Sequence, residues 1–66
     1  MKPNLKQRLL DGETIQLENE ENSADIWYQS KTTSFVLELN GKVIKATKTW
    51  PPIAAKLNNL PCMDEI

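Results

Sequence analysis

The side chains able to do chemistry are few. Glu18, Glu20, Glu21 and Asp25 lie close together, and grouped carboxylates can share protons or gather a hard cation. They stand in a polar stretch with nothing apolar to raise a pKa, and the ligand order and turn glycine of a calcium loop are missing. The plainer reading is a solvated acidic loop. Cys62 is the single cysteine and histidine is absent. That composition excludes an internal disulfide, a structural zinc site and a Cys–His couple. Gly12 and Gly41 are the only glycines, so no glycine-rich phosphate loop can form. These residues predict a non-catalytic protein with no metal, no cofactor and no small-molecule substrate.

Recognition chemistry is left. Trp50 shares its strand parity with Ile44 and Ala46 and reads as a cap on the core beside Pro51 and Pro52. Trp27 keeps two readings. If Ile26 and Tyr28 point inward, Trp27 lies on the outer face of a sheet near Val36, Val43 and Lys45, and an exposed apolar patch of that kind marks an interface. Otherwise Trp27 is core. Trp27, Val36, Val43 and Lys45 are therefore the candidate partner-binding residues. Lys31, Lys42, Lys45 and Lys48 form a second set, because basic residues on strands can contact phosphates.

The elements that must position these residues are set by period and punctuation. Asn40-Gly41 between two alternating, β-branched runs signals a tight hairpin, since both residues tolerate the positive φ of a type I′ turn. A regular register sets Leu39 opposite Lys42, Leu37 opposite Ile44 and Phe35 opposite Ala46 on one face. Glu38–Val43, Val36–Lys45 and Ser34–Thr47 then occupy the other. Glu13–Glu18 alternates as a half-buried strand at an edge, with Ile15 and Leu17 on one side. Residues 24–29 form another strand, after an acidic loop at 19–23.

Pro51-Pro52 ends the last strand and opens a helix, with Ile53, Leu57 and Leu60 at helical spacing across the Phe35/Leu37/Ile44 face. Pro3–Leu10 suits a short N-terminal helix with Leu5, Leu9 and Leu10 on one side, stopped by Asp11-Gly12. The expected architecture is α+β in one domain: an N-terminal helix or arm (1–12), a three- to four-stranded antiparallel sheet (13–50), a helix covering one face (51–61) and a frayed tail (62–66).

Three strands and a helix, with Asp25-Ile26-Trp27, the Asn40-Gly41 hairpin and Ala54-Ala55, resemble the sheet-reading DNA-binding modules of the integrase arm-binding and plant Apetala type. The likeness is one of layout over about half the chain. It implies a nucleic-acid partner held by the lysine-bearing sheet.

Charge is segregated along the chain although the net charge is −1. Lys2, Lys6 and Arg8 open it, and six acids from Asp11 to Asp25 come next without a base. Five lysines against Glu38 then fill 31–56, before Asp64 and Glu65. Acidic and basic elements can neutralise each other, or a basic sheet can face an anionic partner.

At 66 residues the buried surface is small, so self-association is one route to stability. The chain carries no signal-peptide pattern and no membrane-length apolar run, and a cytoplasmic location is expected. The principal expectation is a small protein-interaction or regulatory module. It binds a protein partner or a second copy through the outer sheet face or a free strand edge. The alternative is a DNA-binding module.

Overall fold

A computed structural model describes residues 4–66. Helix α1 runs Leu5–Leu10. Asn4 caps it, its side chain accepting from the Gln7 amide at 2.8 Å. At the other end Gly12, at φ +98°, lets the Gly12 amide reach the Leu9 carbonyl and the Glu13 amide the Arg8 carbonyl. That pair of bonds is a Schellman stop. The expected role of Pro3 in starting the helix lies outside the described residues. Leu9 is fully buried and Leu5 packs on the core, but Leu10 is exposed, because adjacent helical positions do not share a face.

Five strands form one antiparallel sheet: β1 (Ile15–Glu18), β2 (Ser23–Gln29), β3 (Ser34–Leu39), β4 (Lys42–Thr47) and β5 (Asp64–Glu65), in the order β4-β3-β2-β1-β5. The α+β class and the helix-covered sheet are as expected, with one strand more than the expected maximum. The addition comes from the tail. Residues 64–65, read as frayed, pair with Leu17 and Glu18, and the Ile66 amide donates to the Gln16 carbonyl at 2.9 Å. β1 is therefore not an edge strand. Two residues carry no periodic signal, so only the open flank of β1 could draw them into the sheet.

The Asn-Gly hairpin forms as expected, with Asn40 at φ +53° and Gly41 at +84°. Asn40 also ties this turn to the neighbouring one. Its amide donates to the Ser23 carbonyl, its Oδ1 accepts from the Ser23 amide, and its Nδ2 donates to Asn22 Oδ1. Only two of the six expected cross-strand pairs hold. Leu39 faces Lys42 and Glu38 faces Val43, but a bulge then inserts Ile44 as an extra residue. Beyond it Leu37 faces Lys45, Val36 faces Ala46 and Phe35 faces Thr47. The bulge keeps Ile44 packed on the core and bends the edge strand.

The last strand ends at Thr47, and α2 (Trp50–Asn58) begins before the prolines, which occupy its first turn. Ile53 is fully buried, and Leu57 and Leu60 pack beside it. The fully buried side chains Leu9, Ile15, Ile26, Leu37 and Ile53 lie in one cluster with Ala24 and Phe35. Tyr28, Phe35 and Trp50 extend it as an aromatic row, with centroids 5.0 and 5.5 Å apart in tilted and edge-on contacts. Both helices thus lie on the face that carries Ile15, Ile26 and Leu37, and the molecule is a two-layer slab 18 Å thick.

Candidate interaction face

Cross-strand partners share a face of a sheet, so the register maps the side opposite the helices. One row there is Trp27–Val36–Ala46. The next is Gln16–Asp25–Glu38–Val43. Beyond that lie Ser23, Glu18 and Asp64. Trp27 is on this outer face, half-buried between its neighbours. Ile26 is fully buried on the helix side and Tyr28 packs against Phe35 there. The sequence left the orientation of Trp27 open because alternation in β2 fits either parity.

Three of the four candidate partner-binding residues share the outer face. Val36, flanked by Trp27 and Ala46, keeps 9% exposure, and Val43 keeps 50%. Lys45 does not join them. The bulge sets it level with Leu37, on the other side of the ladder, and Ala46 takes the place beside Val36. Ala46 was missed because a bulge leaves no mark on hydrophobic parity.

The same shift changes the electrostatics of the face. Among its strand positions stand the acids Glu18, Asp25, Glu38 and Asp64, and no lysine or arginine. Asp25 is directly opposite Glu38. Like charges in that position repel, and neither makes a side-chain hydrogen bond or ion pair among the described residues.

The second set, Lys31, Lys42, Lys45 and Lys48, is exposed but does not converge. Lys31 lies in the loop after β2, Lys42 starts β4 beside the hairpin turn, and Lys48 comes just past the strand's far end. Only Lys42 and Lys45 lie on the edge strand β4, and none of the four stands on the outer face among its strand positions.

The ion pairs among the described residues centre on Arg8. Its guanidinium grips both Glu65 carboxylate oxygens, one at 2.7 Å, and reaches Glu13 at 3.2 Å. The Glu65 hydrogen bonds, then those of Glu13, hold the Arg8 pKa above its ordinary value. The lone arginine therefore staples α1, the loop after it and β5 together. Sequence spacing gave no sign of this, because Arg8 and Glu65 are 57 positions apart.

Cys62 is exposed, and its carbonyl accepts from Asn19 Nδ2 at 3.1 Å. Asn19 Oδ1 in turn accepts the amides of Glu21 and Asn22, so the acidic loop is a side-chain-closed turn. No cluster of three acidic or cysteine side chains fit to hold a metal ion occurs among the described residues. On the helix side, a groove of about 390 Å³ between Leu5, Leu17, Leu57, Leu60 and Met63 has no charged lining residue.

Fold and surface together define a two-layer α+β protein with an acidic, tryptophan-bearing open sheet. No family model, curated protein or solved structure matches the chain. No helix among the described residues is long and apolar enough to cross a membrane.

Proposed function

We propose that this chain is a small non-catalytic interaction module that binds a protein partner through its outer sheet face. The observation that carries the reading is the row Trp27–Val36–Ala46 on the face that neither helix covers. Trp27, half-buried over Val36, together with the exposed Ala46 and Val43, presents a modest aromatic and aliphatic surface of the composition found at interface centres. The free edges are poorer candidates. β4 is bulged and carries Lys42 and Lys45, and β5 spans two residues. Short, charged or bulged edges resist strand addition. A DNA-reading role finds less support, because the open face carries carboxylates that repel phosphate.

Photo-crosslinking tests the reading. A photoreactive residue at Val43, on the outer face, should give discrete protein adducts in cells that Trp27→Ala removes. The same residue at Lys6, on α1, should give none. Equal adducts from both positions, or none from Val43, would sink the proposal. A salt-sensitive DNA affinity abolished by neutralising Lys42, Lys45 and Lys48 would transfer the function to the β4 edge.

A further inference from the structure

We infer that the partner segment received by the outer face is basic. Its Lys or Arg side chains lie over Asp25 and Glu38, and an adjoining large apolar side chain lies over Trp27, Val36 and Ala46. This rests on the outer face being the binding surface and adds the chemistry of what binds there.

Charge complementarity carries the argument. Four acids occupy outer-face strand positions with no base among them. On the helix side, by contrast, Glu13 and Glu65 are paired with Arg8. Lys45 is the residue a regular hairpin would have put beside Val36, and the bulge removes it. Asp25 and Glu38 stand opposite one another in the ladder, and a cation between them relieves their repulsion. They occupy the row adjacent to Trp27, Val36 and Ala46, so one peptide with a basic residue and an apolar residue two positions apart along an extended strand can engage both rows.

A second copy seated face to face fits poorly, because an isologous contact brings the same acids of both copies together. Nucleic acid is disfavoured by the same charge. A cationic polypeptide is the class for which both the apolar row and the acidic row are attractive.

Selection from a random dodecamer display library on the full-length protein at low salt tests this. Enriched peptides are then synthesised and titrated against the wild type and three variants. Enriched sequences should join Lys or Arg to an aromatic or large aliphatic residue. The double variant D25N/E38Q should weaken them about five- to tenfold, an effect that salt removes. Ala46→Arg, at an exposed position that spares the core, should also weaken them, and K42S/K45S should leave them unchanged. Peptides weakened by Ala46→Arg but indifferent to D25N/E38Q would overturn the basic partner and leave the face reading intact. Indifference to both, or no enrichment, would overturn both. A dimer seen by light scattering and dissolved by Ala46→Arg would give the face to a second copy and overturn the inference.

Discussion

The two faces of the sheet are built from the same strands and meet opposite fates. On one, Ile15, Ile26 and Leu37 are sealed beneath α1 and α2, with at most 1% exposure. On the other, Trp27 and Val36 sit in a plane that neither helix covers, beside acids that no base pairs with among the described residues. The closed face makes the fold, and the open face has kept groups that cost stability. The contrast teaches where to look for function in a small domain: at positions the core does not require and electrostatics do not favour.

Leu37→Ala attacks the comparison hardest. Removing a fully buried leucine costs about 2–5 kcal/mol, against about 3–10 kcal/mol for a whole domain of this size. Urea denaturation should find the variant largely unfolded or nearly so. The adjacent Val36→Ala, on the open face, should cost about 1.5 kcal/mol. Equal losses would mean that the faces do not differ in the way described.

A change touching neither face supplies the reference. Thr33 holds φ +51° in the loop between β2 and β3, a strained region for a β-branched residue. Thr33→Gly should stabilise by about 1 kcal/mol, read as a raised Tm, without altering peptide binding.

Glu38→Gln should sharpen the contrast in the opposite sense. Relieving the repulsion with Asp25 should stabilise the protein by a few tenths of a kcal/mol while weakening a basic ligand. Stability and binding moving apart at one residue is the signature of a group kept for recognition.

Arg8→Ala should have the smallest effect on global unfolding, because its partners Glu13 and Glu65 are exposed and the link it breaks joins α1 and the loop after it to the two-residue strand β5. Hydrogen exchange at the Ile66 amide should nevertheless accelerate. The folded-state pKa of Arg8 is raised, so its contribution is fully present below the ordinary guanidinium pKa and is lost only as pH rises through the folded value. The difference between wild type and Arg8→Ala should therefore be the same at about pH 7 and about pH 10.

Local chemistry decided much of this molecule in advance. Asn40-Gly41 specified its turn because few residue pairs accept two positive φ values cheaply. Pro51-Pro52 confined α2 to the segment after β4, and the alternation of Ile15 and Leu17 chose the buried side of β1. These are short-range steric and hydrophobic effects, readable wherever neighbours in sequence are neighbours in space.

The tertiary structure alone decided the rest. The bulge at Ile44 moved Lys45 off the outer face and put Ala46 there. Trp27 took its orientation from the parity of Ile26 and Tyr28 against a core supplied by both helices. Arg8 found Glu65 across the length of the chain, and a tail with no periodicity became a strand because β1 had unpaired backbone groups to offer. A register slip, a long-range ion pair and an edge in want of a partner each depend on residues that meet only after folding. For that reason the acidic character of the open face, on which the binding proposal turns, became legible only when the strands were aligned.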